Sequence, residues 1–159
     1  MIQLTDKEKL AIKMAAEMIK VHEGFRSKPY KFPGGNPTIG YGHEIKGHEK
    51  LESVTEQEAE AILVKDLLYF LEGLRDSLPE FVYEKLTENK LAALLDFIYN
   101  IGLEAFNRSN LRRKLTGNYP DGDIASEFLR WVYDNGVKLE GLCKRRLAEA
   151  ELYLIGEKK

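Results

Sequence analysis

A chain of 159 residues is one ordinary domain, or two small lobes on a shared core, and is long enough to bury that core without staples. Its single cysteine, Cys143, excludes an internal disulfide and reads as a small core residue in preference to a nucleophile. A formal net charge of −2 argues against a nucleic-acid binder, which needs a basic stripe to meet phosphates; "RRKL" and "CKRR" are local basic patches where an anionic polymer could dock.

The first stretch, "MIQLTDKEKLAIKMAAEMIK", scatters acids and lysines among its apolar positions. It is neither a signal peptide nor a membrane span, so the chain is expected to stay in the host cytoplasm until released. Thr5 with Glu8 forms a capping box, and Leu10, Met14, Met18 and Val21 recur at helical spacing until Gly24 stops them. Glu23 is thereby placed at a helix C-terminus. "PYKF" and "PTIGY", on either side of "PGGN", are short strand candidates, and their prolines imply edge strands. A second box, Thr55 with Glu58, opens a long helix whose apolar face includes Ile62, Leu67, Phe70 and Leu71. "KLAALLDFIYNIG" is apolar on several faces and should be the most buried helix. Shorter helices are predicted at "NLRRKL", "DIASEFLRW" and "GLCKRRLAEAELYLI".

These elements predict an α+β, mostly helical domain over residues 1–159 with one small antiparallel sheet. A hairpin lobe at about 22–55, a connecting helix at about 56–75 and a helical lobe at about 76–159, packed with the N-terminal helix, would enclose a cleft, the default binding site.

Several side chains in this plan could carry chemistry. At a helix C-terminus the dipole disfavours an anion, so Glu23 is biased toward the neutral carboxylic acid that a general acid needs. Thr38 alone is an ordinary strand residue, but Gly40 and Gly42 beside it leave backbone bare for a polymeric ligand to approach. His43 reads as a hydrogen-bonder paired with an acid. His22, His43 and His48 lack the spacing of a zinc site, and neither a metal nor another cofactor is expected. Tyr30, Tyr41, Tyr99, Phe106, Trp131 and Tyr133 are core residues by default, one or two of which would line a sugar-binding cleft. Glu44, directly after the hairpin, is either a solvated turn residue or a substitute negative charge.

"HEGFRSKPYKF…PTIGYGH" resembles the active-site segment of the phage-type lysozymes, the endolysins grouped as family 24 glycoside hydrolases. "LDFIYNIGLEAFNRSNLRRKL" and "EFLRWVYDNGVKLEGLCKRRLAEAELYL" resemble the same family, in the same order, so the likeness runs from about residue 10 to 155. It implies a lysozyme-like two-lobed fold and hydrolysis of the β-1,4 bond between N-acetylmuramic acid and N-acetylglucosamine in peptidoglycan. The family's constellation is a Glu, an Asp after eight intervening residues and a Thr after five more; Glu23 and Thr38 match the outer positions, and Phe32 stands at the middle one. By resemblance Asn100 and Phe106 line the cleft beside Tyr30, His43 is structural, and either Arg145 or Arg146 lies near the catalytic Glu.

The working expectation is a monomeric muramidase acting with inversion on peptidoglycan strands, with no nucleic-acid partner and no membrane insertion. Glu23 would be the acid and Thr38 would position water. The competing expectation is a cell-wall-binding module that Phe32 has deprived of useful catalysis, and a third is a helical interaction protein without carbohydrate affinity. Glycoside cleavage passes through an oxocarbenium-like transition state, in which protonating the leaving oxygen is the demanding task. A general base is worth about 10²–10⁴-fold, so an enzyme could survive its loss.

Overall fold

The computed structural model describes residues 3–31 and 35–156. Phe32 therefore lies outside the described residues, as do the end of the "PYKF" strand candidate and the start of the "PGGN" turn.

Helix α1 (Asp6–Glu23) starts at the predicted capping box: the Glu8 amide donates to Thr5 Oγ1 and the Thr5 amide to Glu8 Oε1. It stops at Gly24, whose φ of +70° no β-carbon-bearing residue adopts cheaply and whose amide donates back to the Lys20 carbonyl. Its buried face differs from the one expected. Val21 is 80% exposed and Leu10 45%, while Ala11, Ile12, Ala15, Ala16 and Ile19 are buried. Small alanines win that face because α1 lies along the central helix, where bulk would hold the two backbones apart.

A three-stranded antiparallel sheet follows, β1 (Arg26–Tyr30), β2 (Thr38–Gly40) and β3 (His43–Glu44), in that spatial order. Pro29 sits in β1, an edge strand, as its missing N–H requires. Helix α2 (Glu56–Ser77), opened by the Thr55–Glu58 box, buries Leu63, Leu67, Leu71 and Leu74, with Ile62 and Phe70 only half-buried. It touches β2, β3, α1 and the central helix, α4 (Glu88–Ile101). Every residue of α4 from Leu91 to Ile98 is buried, so it is the spine of the core, packed by α1 on one side and α8 (Glu140–Leu154) on another.

Short helices α3 (Glu80–Glu84), α5 (Leu103–Asn107), α6 (Asn110–Thr116) and α7 (Asp121–Phe128) complete the helical part. A second sheet corrects the expectation of one: β4 (Tyr133–Asp134) and β5 (Val137–Lys138) form an antiparallel ribbon. Its turn is Asn135–Gly136, both at positive φ, a sequence signal for a tight hairpin. Among the described residues no helix is long and apolar enough to cross a membrane.

Candidate active site

Glu23 is the last residue of α1, 22% exposed at its side chain; α8 and the β2–β3 turn touch it, and α4 stands behind its arginine. Arg145 of α8 donates from Nη1 to Glu23 Oε2 at 2.6 Å. The same guanidinium grips Asp96 of α4 with its other edge, Nε to Oδ2 and Nη2 to Oδ1, both at 3.0 Å. Gly42, in the β2–β3 turn at φ +84°, supplies the second wall: a β-carbon there would sit 2.7 Å from Glu23 Oε1. Gly40 is likewise filled from within, since its β-carbon would meet that of Ala59 in α2 at 3.0 Å. The two glycines thus make room for the protein's own side chains, which corrects the expectation that they lie bare for a ligand.

Behind Glu23 is a buried charge cluster. Asp96, Arg145, Arg146 and Glu149 are each at most 4% exposed. Burial alone would raise the Asp96 carboxyl, but the hydrogen bond from Glu149 and the Arg145 fork outweigh it and hold Asp96 below its ordinary range. Burial, then the neighbouring Asp96, pushes Glu149 well up. The two acids are thus pushed in opposite directions, Asp96 toward its anion and Glu149 toward its neutral form. Burial works against the charge on Arg145, yet Asp96 and then Glu23 keep it firmly cationic. Arg146, lowered by burial, bonds Glu149 Oε2 through Nη2 at 3.0 Å and lies 5.0 Å from the Phe97 ring centroid. The open choice between Arg145 and Arg146 is resolved by geometry, since Arg145 touches Glu23 and Arg146 turns to Glu149.

Thr38 stands in the middle strand, opposite Tyr30 in β1 and Glu44 in β3. Residues paired across a sheet share a face, so these three form a row on the side away from Ile39 and His43, which are buried. The Thr38 hydroxyl donates to the Tyr30 carbonyl at 3.3 Å. Glu44 is exposed and accepts from Asn36 Nδ2 at 2.9 Å. On the buried side His43 lies between two acids, Nδ1 to Asp66 Oδ2 at 2.6 Å and Nε2 to Glu49 Oε1 at 3.0 Å, and the Asp66 bond foremost raises its pKa. Tyr99 of α4 ties the turn to the core by donating to the Tyr41 carbonyl at 2.7 Å.

Asn100 is exposed near the end of α4 and borders a hollow with Trp131, Tyr133 and Leu142. Phe106 has no exposed surface, so its ring is core and cannot touch a sugar, a correction to its expected place on the cleft wall. Tyr30 is half-buried, with the Arg26 guanidinium 4.5 Å from its ring centroid. Asp96 and Glu149 escaped the sequence reading. Their signals were present: an acid inside "ALLDFIY", and a Glu three residues after an Arg on one helix face, must find partners when buried.

The phage lysozyme family profile matches residues 20–149. The endolysin of Bacillus phage B103 is 37% identical over 145 residues, 89% of this chain; the chain spans about half that relative's length, 53%. The endolysin of Acyrthosiphon pisum secondary endosymbiont phage 1 is 34% identical over 141 residues, 86% of this chain and 92% of the relative. Among solved structures, an endolysin from Escherichia coli O157:H7 phage FAHEc1 superposes with a TM-score of 0.77 at 25% identity, covering 99% of this chain and 97% of the other. The muramidase domain of SpmX from Asticaccaulis excentricus gives 0.75 at 33% identity, covering 88% and 94%. The chain belongs to the phage lysozyme family and with it to the muramidase-type glycoside hydrolases.

Proposed function

We propose that the protein cleaves the β-1,4 linkage between N-acetylmuramic acid and N-acetylglucosamine in bacterial peptidoglycan. Glu23 protonates the leaving oxygen and Thr38 positions the attacking water. The observation that carries this reading is the seat of Glu23: a carboxyl at a helix C-terminus, bonded to Arg145 at 2.6 Å and backed by a glycine whose missing side chain is the room it occupies. A rigidly held acid is what glycoside cleavage asks for, because reaction falls off steeply with misplacement. The glycan would run between a hairpin lobe at about 22–55 and a helical lobe at about 76–159, joined by the helix at about 56–75, with Tyr30 and Asn100 bordering it. The protein acts on the cell wall as a monomer, after release from the host cytoplasm.

The test is release of new reducing ends from purified peptidoglycan by the parent protein beside Glu23→Gln. Activity in the parent and background in the variant is expected. A folded parent that releases nothing while still sedimenting with cell wall would overturn the catalytic reading in favour of the binding module suggested by Phe32.

A further inference from the structure

A general acid must hold its proton until the leaving oxygen takes it, yet Arg145 sits 2.6 Å from Glu23. An unopposed cation at that range favours the carboxylate and would move an acid down by about 1–3 pH units. The charge is not unopposed. Asp96 faces Arg145 with both oxygens at 3.0 Å, at 0% exposure, where solvent does not screen the pair. We propose that Asp96 is a positioning residue for Glu23: it fixes the Arg145 fork in place and offsets its charge, so that the acid gains a rigid hydrogen bond without bearing the full field of a buried cation. This rests on Glu23 being the acid.

The matched charges are those of the Arg145–Asp96 pair alone, since the acid beside Arg146 is Glu149, whose carboxyl burial pushes up toward its neutral form. The groups around Asp96 are His22 and Glu23 from α1, Tyr99 on α4 itself, and Arg145, Arg146 and Glu149 from α8; Asp66 of α2 and Tyr30 of β1 act on Tyr99 next to it. His22 is pushed by burial toward its neutral form, and where it is charged it favours the Asp96 anion. Arg145 is matched by Asp96. Arg146 takes Glu149 through Nη2, while its Nε approaches Glu149 Oε1 at 2.7 Å without hydrogen-bond alignment and its Nη1 has no hydrogen-bond partner among the described residues. Glu149 in turn lends Asp96 a hydrogen bond that favours the Asp96 anion. The chain of contacts runs Glu149, Asp96, Arg145, Glu23, and only its last member has appreciable exposed side-chain surface, 22%.

The experiment is kcat and KM for reducing-end release across pH, with circular dichroism to establish folding. Neutralising Asp96 would also remove a negative charge facing Glu149, so the comparison is made on Glu149→Gln, which keeps that side chain neutral throughout. That single variant is expected to keep the parent's profile. Adding Asp96→Asn exposes Glu23 to Arg145: the alkaline limb of kcat should move by about one unit or more to lower pH, with KM within about twofold and activity recovering in acid. A limb that stays put, or a loss equal at every pH, would overturn the proposal. If Asp96→Asn does not fold, Arg145→Gln is added to neutralise the pair, and the limb should return to within about half a unit of the parent's. A clear alkaline displacement there would mean that Arg145 was not offset in the parent, and would equally overturn it. A parent silent at every pH would instead refute Glu23 as the acid.

Discussion

Gly42→Ala separates the seat of Glu23 from the stability of the turn around it. Alanine at φ +84° costs about 1–2 kcal/mol for its left-handed backbone. For a chain of this size that lowers Tm by about 2–8 °C. The added methyl would also lie 2.7 Å from Glu23 Oε1 and 2.9 Å from its Cδ, well inside van der Waals contact. The carboxyl must therefore shift by about half an ångström or more, straining its 2.6 Å bond to Arg145, and a displacement of ~1 Å can cost about 10²-fold in rate. Gly136→Ala is the control: its φ is +79°, it has nothing within 4 Å of its would-be β-carbon, and it lies in the β4–β5 turn. Both variants should melt lower, Gly42→Ala by at least as much as Gly136→Ala, but only Gly42→Ala should lose about 10–100-fold in kcat with KM little changed. Equal kcat in the two would refute the argument that Gly42 exists to seat the acid.

Three other predictions concern the groups that hold the fold around the site. Burial would raise Glu8, but the Thr5 amide, the Tyr83 hydroxyl and Arg75 together hold it at about 2, down from 4.5. A lowered acid stabilises above its unfolded pKa, so Glu8→Gln should cost up to about 3 kcal/mol at neutral pH, and its gap in Tm from the parent should close as pH falls from about 4.5 toward 2. His43 is shifted the other way, chiefly by Asp66, so its contribution is complete below about pH 6.5 and fades as pH rises through the folded pKa above that. The destabilisation caused by Asp66→Asn should accordingly be larger at pH 5.5 than in alkali, and a constant difference in Tm would contradict it. Tyr99→Phe strands the Tyr41 carbonyl and should lower stability by about 1–3 kcal/mol in a urea titration without changing its slope.

How much was legible in the sequence depended on whether a signal was local. Capping boxes at Thr5 and Thr55 and the stop at Gly24 involve residues within four positions, and each appears where expected. The buried run from Leu91 to Ile98 needed only its apolarity on every face, broken at Asp96 alone. The face of α1 failed because periodicity counts bulk, while the helix-to-helix contact selected alanines. Contacts between distant segments were harder. Arg145 lies 122 residues from Glu23, and only a resemblance narrowed it to a pair of arginines. Asp96, 49 residues from Arg145, was read as part of an apolar helix, and its charge found meaning only once α4 and α8 were packed. The second ribbon was a simpler oversight: Asn135–Gly136 between Tyr133–Asp134 and Val137–Lys138 is a hairpin signal in plain sequence.

The two sides of the site are built to different tolerances, and that bears on the chemistry. Glu23 is fixed by contacts from α8 and the β2–β3 turn, and Asp96 of α4 anchors its arginine; among the described residues the Thr38 hydroxyl makes one hydrogen bond, at 3.3 Å, with exposed Glu44 across the strand. In a transition state where the leaving oxygen departs ahead of attack, precision matters most at the acid, and water needs little more than orientation. The expected order of damage is therefore unequal. Glu23→Gln should remove about 10²–10⁴-fold or more, while Thr38→Ala and Glu44→Gln should each cost less, because a water can take other partners and a solvated carboxylate is screened. Reducing-end kinetics on the three variants would decide it. Losses at Thr38 or Glu44 that match the loss at Glu23 would mean that water attack limits the rate, and that the rigid seat of the acid is not where the barrier is lowered.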